Sequence, residues 1–213
     1  MFLKIFIFFI VIYFYYHIYL MFKVNINNEI SNYDNYITKQ EITNEINIKL
    51  PFVLNSGHLL NNDICYNSFN NIDNKIDYIS RPILEPFVRF NTNNVLYKLN
   101  KKQNIGIKTN KHFRNFYIVN SGVVKVILIH PKYNDNFIKN NCFISNKEMI
   151  SFVKKNDNFI TKELRKNDIL FLPNYWSIFI EARQDNTNIE LIQYKSLLNN
   201  ICFYVDKFKN KIM

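Results

Sequence analysis

The residues able to do chemistry in this 213-residue chain are few. There are four histidines, three cysteines and three glycines. His112 is followed by Phe113 and Arg114 and has no partner carboxylate, so it reads as a surface or loop histidine. His58 follows Ser56-Gly57 in a turn-like context and reads as structural or exposed. His130 precedes Pro131 at a strand end, where a capping or surface role fits better than catalysis. Cys65, Cys142 and Cys202 are far apart, odd in number and without a C-x-x-C pair. That spacing argues against both a zinc site and a disulfide framework and points to reduced thiols. No Ser-His-Asp or Cys-His arrangement stands out, and three glycines leave little room for a phosphate-cradling loop.

The elements that would position such residues begin with a long apolar run. Residues 2–22, FLKIFIFFIVIYFYYHIYLMF, are apolar or aromatic except for Lys4 and His17 and lack Gly and Pro. At ~1.5 Å per residue a helix of that length reaches ~30 Å, enough to cross a hydrocarbon core. A cleavable signal would have a shorter apolar region and a small-residue cleavage site. The run therefore predicts a retained transmembrane anchor over 1–23. A polar, Asn-rich tether follows, and Thr38 and Glu41 have capping-box spacing. The helix they open places Ile42 and Ile46 on one face, so tether and helix together fill 24–48. The remainder, 49–213, is long enough for one domain with its own core.

Within that domain the signal is β. A first short strand is expected over 49–54, and an Asn-rich loop over 61–75. Residues 114–120 and 123–129 are β-rich runs separated by Ser121-Gly122, a spacing that reads as a hairpin. Further strands are expected over 169–172, 176–181 and 189–194. Short strands punctuated by turn residues suggest a sandwich or jelly roll. Leu197, Leu198, Ile201, Cys202, Val205 and Phe208 fall near helical spacing and predict a closing amphipathic helix.

The formal net charge of +10 comes mostly from dispersed lysines. With no Arg-rich block or basic helix, it argues against nucleic acid as the partner. No N-x-S/T sequon occurs despite abundant Asn, which leans towards a domain facing the cytosol or a virion interior. Lys4 and Lys23 balance across the anchor and leave its orientation open.

Two segments resemble JmjC and cupin-like proteins. One is NFYIVNSG (115–122) running into VVKVILIHP (123–131); the other is LRKNDILFLPNYW (164–176). Together they carry Arg114, Asn115, Gly122, Asp168, Pro173 and Trp176, the residues that match the family pattern. The chain also resembles the membrane-anchored cupin-like proteins of giant DNA viruses, which share the anchor, the tether, the Pro-x-Tyr-Trp turn and a late segment like Tyr194 to Asn200. The resemblance implies a mainly β fold: a cupin/JmjC-type double-stranded β-helix, or jelly roll, with flanking helices behind one N-terminal transmembrane helix.

Active JmjC relatives use Fe(II) and 2-oxoglutarate, with iron held by two His and one carboxylate. The resemblance places the first His and the carboxylate at Thr109 and Lys111, the second His at Ile178, and the cosubstrate lysine at Val124. By the two-residue period, Lys125 should face away from that site. All four positions carry residues that cannot do the job, which implies a degenerate site without cofactor: a pseudoenzyme. Asp168 is then a turn residue, Trp176 and Tyr175 pack in core and rim, and Arg114 is solvated or locally paired. The expectation is a membrane-tethered, non-catalytic domain acting through an unidentified protein partner or as a structural component, in a host or virion membrane. The rival expectation is an Fe(II)/2-oxoglutarate-dependent hydroxylase with non-standard ligands such as His112 or His58.

Overall fold

The computed structural model describes residues 2–34, 37–56, 59–60, 84–86, 91–133 and 159–195, without the side chains of His17, Leu20, Met21, Phe22, Leu59 and Leu60. His58, the three cysteines, the loop expected over 61–75 and the expected closing helix lie outside the described residues. Helix α1 spans Phe2–Phe22. Its described side chains project into the open on every side; Phe2, Phe6, Phe9 and Tyr15 are all more than half exposed. Among the described residues no helix is long and apolar enough to cross a membrane. The continuous stretch of α1 with described side chains ends at Tyr16, about 22 Å along the axis at ~1.5 Å per residue.

Helix α2, Lys39–Ile48, opens on the expected capping box. The Thr38 side chain accepts from the Glu41 N–H at 3.3 Å, and the Thr38 N–H donates to Glu41 Oε2 at 2.7 Å. That reciprocal bonding holds the Glu41 carboxyl below its usual range, the backbone bond being the larger cause. Lys49 stops the helix in the left-handed conformation, φ 65°, with its N–H bonded to the Ile46 carbonyl. The strand expected over 49–54 therefore begins later, after this cap.

Among the described residues twelve strands follow α1: β1 Ser31–Tyr33, β2 Ile37–Thr38, β3 Phe52–Asn55, β4 Leu59–Leu60, β5 Asn91–Leu99, β6 Asn104–Thr109, β7 Arg114–Ser121, β8 Val123–Ile129, β9 Phe159–Arg165, β10 Asp168–Leu172, β11 Ser177–Ala182 and β12 Thr187–Lys195. One sheet runs β1-β3-β10-β7-β12-β5, a second β6-β11-β8-β9, and β2 and β4 form a small parallel pair. The antiparallel pairs are nested: β5 with β12, β6 with β11, β7 with β10, β8 with β9. A long hairpin rolled on itself gives this order, with alternate strands falling in alternate sheets, and it is the order of a jelly roll.

This topology corrects one expectation. Strands β7 and β8 exist where the pattern places them, yet they do not pair as a hairpin. They belong to different sheets. Gly122, at φ 82°, is the corner where the chain leaves one sheet for the other. The Ser-Gly signal marks a turn correctly, but a local reading cannot say which partner each strand then finds.

Side chains alternate between two environments, as the strand period requires. The interior between the sheets holds Tyr117, Val119, Val124, Val126, Leu128, Leu170, Trp176, Ile178, Ile180 and Leu191. The outer face of the larger sheet presents Phe52, Phe116, Ile118, Phe171 and Tyr194 to Ile42 and Ile46 of α2. Phe52 stacks on Phe171 at 4.9 Å between centroids, and Phe116 meets the same ring at 5.4 Å. Burying each isoleucine contributes about 1.5–3 kcal/mol, which fastens the helix to the sheet.

Candidate functional site at the barrel mouth

The polar residues of the interior collect at one end, where β6, β7, β11 and β12 begin or finish. Asn115 is fully buried there. Its Nδ2 donates to the carbonyls of His112 (3.0 Å) and Leu172 (3.1 Å), and its Oδ1 accepts from Gln193 Nε2 (3.1 Å). Gln193 accepts in turn from Asn93 Nδ2 at 3.0 Å. The network ties β5, β7, β12 and the end of β10 together. Asn115→Leu leaves the Gln193 amide and the Leu172 carbonyl without this partner, and an expected loss of about 2 kcal/mol is readable by urea unfolding.

Beside this network, the Tyr117 hydroxyl donates to Asn110 Oδ1 at 3.0 Å. Burial, the dominant cause, drives the Tyr117 phenol far above its usual range, and the bond to Asn110 only partly offsets it. Asn110 is pinned by its backbone, its N–H on the Trp176 carbonyl and its own carbonyl accepting from Tyr175 N–H. Tyr175 takes up the left-handed conformation, φ 69°, in making that turn. Asn110 Nδ2 and Trp176 Nε1 are buried donors without a partner among the described residues. They can hold a small acceptor, which is a binding capacity, not a catalytic one.

His130 closes the same end. It is 4% exposed, and its ring meets Trp176 edge-on at 4.9 Å. Its Nδ1 accepts from the Lys132 N–H at 3.1 Å, so Nε2 carries the proton and donates to the Asn25 carbonyl at 2.7 Å. Asn25 also donates to the Ile48 carbonyl at 2.9 Å. The segment between α1 and β1 is thus stitched to both the barrel mouth and the end of α2.

The residues matched to the iron site are not brought together. Ile178 is 1% exposed and packs inside the barrel with Trp176 and Ile180. Thr109 is cross-strand from Ser177, and their hydroxyls bond at 2.6 Å on the opposite face of that ladder. The residue across from Ile178 is Lys108, whose Nζ bonds the Tyr97 hydroxyl at 2.9 Å. Lys111 lies beyond β6 in the turn and is half-buried. Thr109 therefore does not share a face with Ile178, and the residue that does is Lys108. With a side-chain period of two, a slip of one residue exchanges the faces.

Val124 does lie in the interior, while Lys125 is cross-strand from Glu163 and Glu181. Asp168 holds the turn between β9 and β10, accepting from the Arg165 N–H at 2.8 Å and from Asn55 Nδ2 at 3.2 Å. Pro173 is buried just after β10. Arg114 faces away from the barrel interior, across from Tyr194 on the α2 side of the sheet.

The mouth does not fit iron. Its side chains are the Lys108 ammonium, the Asn110 amide, the Tyr117 hydroxyl, the apolar Ile178 and an imidazole whose two nitrogens are both engaged. A facial triad needs two free imidazoles and a carboxylate with open positions, and a lysine cation repels the metal. Among the described residues no three His, Cys, Asp or Glu gather as a metal group. A separate cleft of about 590 Å³, lined by Tyr33, Asp34, Lys162, Arg165 and Asp168, opens beside β9 and β10. Burial and then the bond to Glu45 push the Tyr33 phenol up to about 12.

No family model matches the chain, and no curated protein matches it. Solved structures similar to it include the BH2720 protein of Bacillus halodurans, at 11% identity and a TM-score of 0.35, covering 49% of this chain and 63% of that one. The Drosophila melanogaster CENP-C bound to CAL1 is similar at 11% identity and a TM-score of 0.33, covering 48% and 60%. The Drosophila melanogaster CENP-C cupin domain is similar at 11% identity and a TM-score of 0.32, covering 48% and 59%. The chain spans about three fifths of each of these structures. Likeness at that level decides nothing by itself; the nested pairing of β5 to β12 is what makes this a mainly β protein whose two sheets resemble a cupin jelly roll.

Proposed function

We propose that the chain is a membrane-anchored, non-catalytic cupin/JmjC-like module that works by binding a partner or by bracing a structure. The observation that carries this is the filled interior. Ile178, Trp176, Val124 and Tyr117 occupy the volume in which an active relative would hold metal and cosubstrate, and they pack as one apolar cluster. The anchor is supported by α1, whose described apolar side chains are exposed on all sides. A helix apolar all round is stable only in a core or in lipid. The resemblance to the giant-virus proteins supports a host or virion membrane as its place.

The test uses the full chain, purified in detergent after expression with iron and assayed with 2-oxoglutarate. The expected result is sub-stoichiometric iron and no succinate formed above a buffer control. Iron at one equivalent with steady succinate release would sink the non-catalytic reading and restore the hydroxylase. For the anchor, the chain should stay with membranes after alkaline carbonate washing, and deletion of residues 2–22 should release it. Release of the intact chain by carbonate would refute the anchor.

A further inference from the structure

On the outer face of the larger sheet, where α2 ends, two cations are buried close together. Lys49 is 3% exposed and Arg114 is 6% exposed. Both lie over the Phe113 ring, Lys49 Nζ at 4.7 Å and Arg114 Cζ at 5.8 Å from its centroid. Lys49 donates to Asn174 Oδ1 at 3.4 Å, and Arg114 Nη1 donates to the Leu84 carbonyl at 3.3 Å. Arg114 Nε is buried and has no partner among the described residues. Nor, among them, does a carboxylate pair with either cation; the described ion pairs are Arg165–Glu163 and Arg183–Glu181, elsewhere in the fold. Lys23 lies near enough for its charge to act on Lys49, and the Asn25 side chain two residues on is bonded to the carbonyl of Ile48, the residue before Lys49.

Like charges taken out of water repel each other and lose solvation, and a ring face with neutral acceptors offsets only part of that. An anion between them removes the conflict. We propose that Lys49 and Arg114, with Lys23 at the rim, form a receptor for a phosphate group. Phosphate fits better than a carboxylate because the donors are a guanidinium edge and two ammonium heads on three separate segments, which tetrahedral oxygens can meet together. The phosphate has two possible sources, a free anion or a phospholipid headgroup. Lys23 directly follows α1, so a headgroup would reach this receptor where the anchor leaves the bilayer. Only the headgroup source rests on the membrane reading; the receptor itself does not.

The experiment compares melting of the full chain followed through Trp176, the only tryptophan. In a neutral detergent, inorganic phosphate is added against chloride at equal ionic strength. In nanodiscs, phosphatidylcholine alone is compared with phosphatidylcholine containing phosphatidic acid. We expect wild type to melt several degrees higher in at least one phosphate arm, as for any ligand bound only by the folded state. Lys49→Met and Arg114→Gln should each lose most of that increment. A gain from inorganic phosphate identifies the free anion, and a gain confined to phosphatidic acid identifies the headgroup. No gain in either arm, or a full gain surviving in Lys49→Met, which keeps most of the stem of the side chain, overturns the proposal. Because the detergent arm needs no bilayer, failure of the anchor and failure of the receptor remain distinguishable.

Discussion

Gly122→Val should destabilise the fold by about 2–5 kcal/mol, enough to leave much of a marginal domain unfolded at physiological temperature. Gly122 sits at φ 82°, where an L side chain is strained by roughly 1–2 kcal/mol. The space is also filled: an added Cβ would collide with Thr187 Oγ1 and come within 3.0 Å of the Thr187 Cα and Cβ. Thr187 cannot yield freely, since its hydroxyl donates to the Gln184 carbonyl at 2.8 Å and its backbone starts β12. Overpacking of that kind adds roughly 1–3 kcal/mol to the strain. Gly106→Ala is the internal control. It has φ 74° but nothing within 4 Å of an added Cβ, so it should cost only the backbone strain, about 1 kcal/mol. Thermal melts read by Trp176 fluorescence measure both. Equal shifts for the two variants would mean that the close approach to Thr187 does not govern the corner.

The corner also shows what the sequence could and could not reveal. Ser121-Gly122 between two apolar runs signals a turn from local chemistry, and the capping box at Thr38 and the Ile42–Ile46 pair are equally local. Strand partnership is not, because β7 pairs with residues some fifty to eighty positions further on. Strands β5 and β9 carry little apolar signal because they are edge strands. Their burial alternates with solvent, and Asn and Lys fill the outward positions, so NTNNVLYKL and FITKELR read as polar connections. The interior residues Val124, Trp176 and Ile178 were legible from alternation along β8 and β11. Lys108 and Asn110 were not, since the β6–β11 ladder contains a register shift and Gly106 interrupts the apolar pattern of β6. Lys49 and Arg114 are 65 positions apart and meet only because α2 ends over the sheet; no spacing rule could join them.

That meeting leads to a pH-dependent stability of opposite sign to the common acid-sensitive case. Burial first, then the charges of Arg114 and Lys23, bring the Lys49 ammonium down to about 8. In the unfolded chain it titrates near 10.4. Below pH 8 the folded state carries the whole conflict. Between about 8 and 10 the unfolded chain binds more protons than the folded one, so stability should rise with pH across that window. The full difference is about 3 kcal/mol. Above pH 10 Tyr117 and Tyr33, held neutral in the fold while unfolded tyrosines ionise, oppose any further rise. Arg114, brought down to about 10 chiefly by burial, acts in the same direction as Lys49 from the top of that window upward. Lys49→Met keeps the stem against Phe113 and deletes the charge, so at pH 7 and without phosphate it should be up to about 3 kcal/mol more stable than wild type. Its stability should be nearly flat from pH 7 to 9.5, as measured by urea unfolding in neutral detergent. A wild type that is already flat, or a slope that persists in the variant, would remove Lys49 as the cause. Phosphate in its receptor restores the proton to Lys49, so adding it to wild type should flatten the same slope. A residue whose removal stabilises the empty fold, and whose penalty an anion cancels, is there for the anion.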